Sequence, residues 1–125
     1  MATLEITADN FNDTVAQNGI VFLDFWAAWC GPCRNFAPTY EAAAEANPDI
    51  VFGKIDTEAQ QDLAAAFQIR SIPTIAVIRE GVMVFRESGA LPANALNQVI
   101  AGVRGLDMDQ VRAEISAQQA AQQQS

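Results

Sequence analysis

Ile20-Val21-Phe22-Leu23-Asp24-Phe25-Trp26-Ala27-Ala28-Trp29-Cys30-Gly31-Pro32-Cys33 joins two signals that decide the fold. Residues 20 to 26 are an almost unbroken apolar run rather than an alternating one, the mark of a strand buried on both faces of an α/β sheet. Gly31-Pro32 then makes a tight strand-to-helix turn. A helix started by Pro32 is expected to reach about Ala46, with Phe36 and Tyr40 four apart and Pro38 inside it. Cys30 is therefore expected at or just before a helix N-terminus. Unpaired backbone N–H groups and the positive end of the macrodipole, roughly half a charge, favour a thiolate there.

Working outward, Thr3 to Ile6 reads as a short first strand. Asp9 and Asn10 offer caps to a helix carrying Phe11 and Val15 on one face, which Asn18-Gly19 ends. Downstream, Asn47-Pro48 closes the long helix, Ile50 to Ile55 is a strand, and Gln60 to Phe67 is a helix with Leu63, Ala64 and Phe67 at helical spacing. Ser71-Ile72-Pro73-Thr74 leads into a strand over Ile75 to Ile78, and Glu80-Gly81 turns it back into Val82 to Phe85. A helix after Leu91-Pro92 presents Leu96, Val99, Ile100 and Val103 on one face. The order predicts an α/β domain, a mixed sheet with helices on both faces.

The chain of 125 residues, half of them hydrophobic, suffices for one domain with a sizeable core. Seven lysines and arginines against 15 aspartates and glutamates, a formal charge of −8, argue against nucleic acid or an anionic membrane as the main partner. No apolar segment approaches membrane-spanning length. Met1 to Glu5 has no basic stretch followed by an apolar run, so no secretory signal is read there and a cytoplasmic location is expected.

The two cysteines close too small a loop to act as a structural staple, because such a bridge restricts the unfolded chain least. As half of a zinc or iron–sulfur knuckle they would need further ligands, and the chain has no histidine and no third cysteine, so no metal is expected. The remaining reading is redox chemistry, with Cys30 at the exposed helix end attacking a disulfide and Cys33, one turn inward, resolving the mixed disulfide. Asp24 is an acid inside an apolar run. Burial there is costly without a partner or function and raises a carboxyl's pKa, which suits a proton acceptor for Cys33. Trp26 reads as a core aromatic, and Trp29, beside Cys30, as the rim of a substrate surface. On residue type alone Lys54 is equally an exposed strand lysine, Pro73 a trans loop proline, and Gly89 a strand-ending turn.

The chain resembles the thioredoxin family through Asp24-Phe25-Trp26-Ala27-Ala28-Trp29-Cys30-Gly31-Pro32-Cys33, Pro38, Lys54 and Ile69-Arg70-Ser71-Ile72-Pro73-Thr74, over about residues 1 to 105. The resemblance implies a thioredoxin fold and, through Gly31-Pro32, a reducing member of the family. It implies Asp24 as the acid that takes the Cys33 proton and Lys54 as its neighbouring cation. It also implies a cis Ile72–Pro73 bond facing the cysteines, the Ile72 backbone pairing with a substrate chain, and Gly89 keeping the surface flat. Implied partners are protein disulfide substrates and, as electron donor, an NADPH-dependent thioredoxin reductase. No cofactor is needed, since sulfur carries the electrons. A thioredoxin-fold adaptor with a partner-recruiting tail is the alternative.

Leu106 to Ser125 continues past the end of that resemblance. Asp107 can cap a further helix with Gln110 as capping-box partner, Leu106 and Val111 are placed as a hydrophobic staple, and Met108, Val111 and Ile115 share a face. One or two turns are expected to dock on the domain, followed by a disordered Ala/Gln end. Gln68 stands where relatives commonly have glycine before Ile-Arg, which makes the local turn a point to check.

Overall fold

The computed structural model describes residues 2–123. Five strands, β1 (Leu4–Glu5), β2 (Ile20–Trp26), β3 (Val51–Asp56), β4 (Thr74–Arg79) and β5 (Val82–Ser88), and five helices, α1 (Phe11–Gln17), α2 (Gly31–Ala46), α3 (Gln61–Ala66), α4 (Ala93–Arg104) and α5 (Met108–Gln123), alternate up to β4, after which β5, α4 and α5 follow. They form one sheet in the order β1-β3-β2-β4-β5. β1 and β2 run parallel to β3, while β4 runs antiparallel to β2 and β5 antiparallel to β4. The apolar run over residues 20 to 26 is thus the middle strand.

Burial on both faces follows from side-chain alternation along β2. Phe22 joins Phe36, Tyr40, Leu96 and Ile100 under α2 and α4, and Val21, Leu23 and Phe25 pack on the opposite face with Phe11, Leu63 and Phe67 of the α1 and α3 side. The Phe22 and Phe52 rings stack at 4.9 Å, and Tyr40 meets Phe52 edge-on at 5.4 Å. The Tyr40 hydroxyl donates to the Gly53 carbonyl at 2.7 Å, satisfying a buried phenol. A Cβ at Gly53 would lie 2.5 Å from Ile6 Cγ1, so the close approach of residue 6 to β3 requires glycine there.

Several boundaries differ from the sequence reading. β1 is shorter than Thr3 to Ile6, though the Ile6 amide still bonds Lys54 O at 2.8 Å, and β5 runs on past Phe85 to Ser88. Asn10 occupies the α1 cap position without capping the helix through its side chain. Its Oδ1 accepts from the Thr7 amide at 2.8 Å and its Nδ2 donates to Glu5 O, so the side chain ties the entering loop instead. Glu80 and Gly81, at φ of 53° and 81°, form the two-residue hairpin loop, whose positive angles match the twist of β4 and β5.

The segment after Gly105 forms a docked helix. Asp107 Oδ1 accepts from the Asp109 and Gln110 amides at 3.1 and 3.2 Å, the expected cap, but Gln110 reaches forward to Glu114 rather than back, so the capping box is half made. Met108 is buried and Val111 and Ile115 are half-buried. Arg112 bridges Glu80 at 2.9 Å, and the Arg79 guanidinium donates to the carbonyls of Val103 and Leu106 at 2.7 and 2.8 Å, closing the end of α4. Residues 116 to 123 stay helical though wholly exposed, where the sequence reading expected disorder. Alanine and glutamine are good helix formers, and continuing an existing helix avoids the cost of nucleation. Residues 124 and 125 of that expected tail lie outside the described residues.

Candidate active site

Cys30 is the N-cap of α2, with an extended backbone at φ −86° and ψ 111°. Its Sγ accepts from the Cys33 amide at 3.2 Å, occupying one of the N–H groups that the first helical turn leaves unpaired. Pro32 falls in that turn, where its missing N–H takes nothing from the helix, and Cys30 and Cys33 are joined in a disulfide with Cα atoms 5.3 Å apart. A Cβ at Gly31 would meet no atom within 4 Å, so packing does not demand glycine there. The expected contrast between an exposed Cys30 and an inward Cys33 is corrected: they are 4% and 3% exposed. Ala27, Trp26 and Ile72 pack around the pair, and both cysteine residues are almost wholly covered.

The Ile72–Pro73 bond is cis, and the Ile72 carbonyl oxygen lies 3.8 Å from Cys30 Sγ. Pro73 O accepts from the Gly89 amide at 2.7 Å. Gly89 has φ +104°, a backbone conformation that a side chain would strain, and it leaves the surface beside Pro73 without a projecting group. Trp29 is 66% exposed, and its indole N–H donates to Glu58 Oε1 at 2.6 Å. Arg34 donates to the Ala28 carbonyl at 2.7 Å and so fastens the loop that presents Trp29. An open groove of about 490 Å³ runs from Trp29 past Ala64, Ala65 and Ile69 to Arg70 and Ile72.

Asp24 is fully buried and neither carboxylate oxygen has a hydrogen-bond partner in the structure. Burial pushes its pKa up from 3.8 to about 7, against the opposing pull of the Lys54 charge. Alternation along β2 puts Asp24 on the same face as Phe22, beneath α2, whose buried residues are Cys33, Phe36, Tyr40, Ala43 and Ala44. Burial and the nearby Asp24 carboxylate together push the Tyr40 phenol well above its usual range. Lys54 pairs with Asp24 across the β2–β3 ladder, but its ammonium lies 4.8 Å over the Trp26 ring. Trp26 is half-buried at the margin of the cystine cluster rather than central in the core.

The sequence reading missed Glu58 and the anchoring of Arg34. Glu58 looks like any loop acid, and only the fold brings β3's C-terminal loop beneath the indole. Among the described residues no group of three or more cysteine and acidic side chains converges as a metal-ligand set. No helix among them is long and apolar enough to cross a membrane.

Residues 2–102 match the family model of thioredoxin. The chain belongs to the thioredoxin family. It is 59% identical over 119 residues to the putative thioredoxin 2 of Streptomyces coelicolor, a match covering 95% of this chain and 89% of that one. Among solved structures, a thioredoxin mutant from Halobacterium salinarum superposes with a TM-score of 0.78 at 32% identity, covering 84% of this chain and 93% of the other. Spinach chloroplast thioredoxin f, in its short form, gives 0.76 at 33% identity, covering 82% and 94%. The chain is a thiol-disulfide oxidoreductase that reduces protein disulfides, with a Cys-x-x-Cys pair held at bonding distance in a thioredoxin fold.

Proposed function

We propose that Cys30 is the attacking thiolate and Cys33 the resolving thiol. The observation that carries this reading is the placement of Cys30 Sγ at the N-terminus of α2, accepting the Cys33 amide and 3.8 Å from the Ile72 carbonyl. In the reduced protein the Cys30 thiolate attacks one sulfur of a substrate disulfide, forming a mixed disulfide and releasing the other substrate sulfur as a thiolate. Cys33 gives up its proton and attacks Cys30 Sγ. The second substrate thiolate leaves and takes up a proton, and the protein is left as the Cys30–Cys33 disulfide.

Asp24 takes the Cys33 proton, directly or through water, and its pKa of about 7 supports that assignment because an acceptor works best near the operating pH. Lys54, opposite Asp24 across the β2–β3 ladder, favours the ionised carboxylate by charge without bonding it. Gly31 and Pro32 shape the turn that presents Cys30. Ile72, Pro73 and Gly89 offer a flat backbone edge along which an extended substrate segment pairs, and Trp29 forms its rim. The slight exposure of Cys30 favours disulfides in extended, accessible segments over buried ones.

The chemistry lies in residues 1–105, and residues 106–125 form a C-terminal extension. An NADPH-dependent thioredoxin reductase recharges the pair, and the protein works in the cytoplasm as an electron carrier maintaining protein thiols. A formal charge of −8 supports neither nucleic acid nor an anionic membrane as a partner.

The test is a pair of variants incubated with a disulfide-containing protein such as insulin. Cys33→Ser is expected to accumulate a mixed disulfide through Cys30, visible as a mass shift that dithiothreitol removes, and Cys30→Ser to show neither adduct nor turnover. Adducts on Cys33 in Cys30→Ser at the same rate would overturn the assignment of roles.

A further inference from the structure

Seven lysines and arginines serve a chain of net charge −8, and the structure occupies six of them. Arg34 bonds the Ala28 carbonyl, Lys54 lies over Trp26, and Arg79 closes the end of α4. Arg86 donates to the Phe67 and Gln68 carbonyls, Arg104 grips Asp49 and Asn47, and Arg112 bridges Glu80 and Asp109. Of the lysines and arginines, all among the described residues, Arg70 alone is exposed with neither a hydrogen bond nor an ion pair. It is also the one charged residue lining the groove between Trp29 and Ile72.

We infer that Arg70 is a specificity-determining residue that reads a carboxylate on the substrate segment, within about three residues of the cysteine attacked by Cys30. This rests on the attack by Cys30 proposed above. Arg70 precedes Ile72 by two residues, so their Cα atoms are at most about 7 Å apart. Ile72 in turn places its carbonyl 3.8 Å from Cys30 Sγ. A substrate strand running along Ile72 passes its own neighbouring residues over the groove that Arg70 borders. Guanidinium has a planar fork of donors that matches a carboxylate in two parallel bonds, and here no protein acceptor competes for it.

The overall charge narrows the class of ligand. At physiological ionic strength charges farther apart than about 8 Å are largely screened, whereas a contact pair is screened much less. A strongly acidic partner is still repelled by a surface of net −8. The fitting substrate is a disulfide whose flanking segment carries one or two carboxylates beside apolar residues, on a protein otherwise neutral or basic. The apolar walls from Ala64, Ala65 and Ile69 suit the accompanying side chains.

The experiment compares three synthetic peptides, each closed by one internal disulfide and differing only in Glu, Gln or Lys two residues from the attacked cysteine. The kcat/KM for their reduction is measured with dithiothreitol recharging the protein. Wild type is expected to prefer the Glu peptide over the Gln peptide by about two- to fivefold, the range an exposed ion pair spans, and to disfavour the Lys peptide. The preference should shrink between 50 mM and 500 mM salt. Arg70→Lys, which keeps the charge but loses the fork, should keep only part of it, Arg70→Gln should remove it, and Arg70→Glu should reverse it. An identical Glu-to-Gln ratio in wild type and Arg70→Gln overturns the inference. Failure of wild type to reduce even the Gln peptide would instead count against the assignment of Cys30, so the two readings fail separately.

Discussion

Lys54 stands directly opposite Asp24 in the β2–β3 register, yet its ammonium sits over the Trp26 indole and leaves both oxygens of the buried carboxylate without a hydrogen bond. The ionised form of Asp24 is therefore poorly compensated, and its pKa in the folded protein rises from 3.8 to about 7. Between those values the folded state holds a proton that the unfolded state has lost, so stability falls as pH rises through this window and levels off above it. At 1.36 kcal/mol per pH unit the full effect is at most about 4 kcal/mol. Asp24→Ala should match wild type in urea denaturation near pH 4 and exceed it by up to that amount at pH 8. A difference that does not vary between pH 4 and pH 8 would show that Asp24 titrates normally.

The same carboxylate makes a kinetic prediction. If Asp24 accepts the Cys33 proton, resolution of a preformed mixed disulfide should quicken as pH rises through about 7, where Asp24 ionises. Asp24→Asn keeps the shape and removes the acceptor. It should slow resolution at pH 8 by about a hundredfold, at the low end for general base catalysis, and flatten that limb of the profile. Stopped-flow tryptophan fluorescence, with Trp26 beside the cystine cluster, reads the step. A limb of unchanged height in Asp24→Asn would remove Asp24 from proton transfer.

What was legible in the sequence follows from how local each signal is. The apolar run ending at Trp26 and the Pro32 turn fix β2, α2 and the cap position of Cys30, because strand burial and helix starts are written in adjacent residues. Pro73 was legible as a cis proline only through family resemblance, since residue type alone favours trans. The near-equal burial of the two cysteines depends on Trp26 and Ile72 arriving from distant segments. The Glu58 partner of Trp29 and the unpaired Arg70 arise the same way, from tertiary placement with no local pattern to announce them.

Gln68, the residue after the α3 C-cap Phe67, adopts φ +55°. Its amide bonds Ala65 O at 2.9 Å and the Ile69 amide bonds Ala64 O at 3.1 Å, the paired closure that ends many helices and usually uses glycine. Arg86 supports the turn from outside through the Phe67 and Gln68 carbonyls, which a side-chain change at residue 68 leaves in place. A left-handed non-glycine residue costs about 1 kcal/mol, partly offset by the greater freedom of glycine in the unfolded chain. Gln68→Gly should raise stability by about 0.5 kcal/mol, measured by thermal unfolding, while Gln68→Val should lower it. A destabilising Gln68→Gly would mean that the glutamine side chain contributes more than its backbone strain costs.

The helix beyond Gly105 divides energetically at Ile115. Met108 is 5% exposed, and removing a buried methionine side chain leaves a cavity as well as losing apolar burial. Met108→Ala should lower the stability of the full chain by about 2 kcal/mol in urea denaturation. From residue 116 to 123 every side chain is exposed, so those turns contribute helix propensity and little packing. Truncation after Ile115 should shift the unfolding free energy by less than about 0.5 kcal/mol, the scale of surface changes away from special features. If the truncation cost as much as Met108→Ala, the last turns would be holding the docked segment in place. A neutral Met108→Ala would show that α5 rests on the domain through Arg112, Glu80 and Arg79 alone.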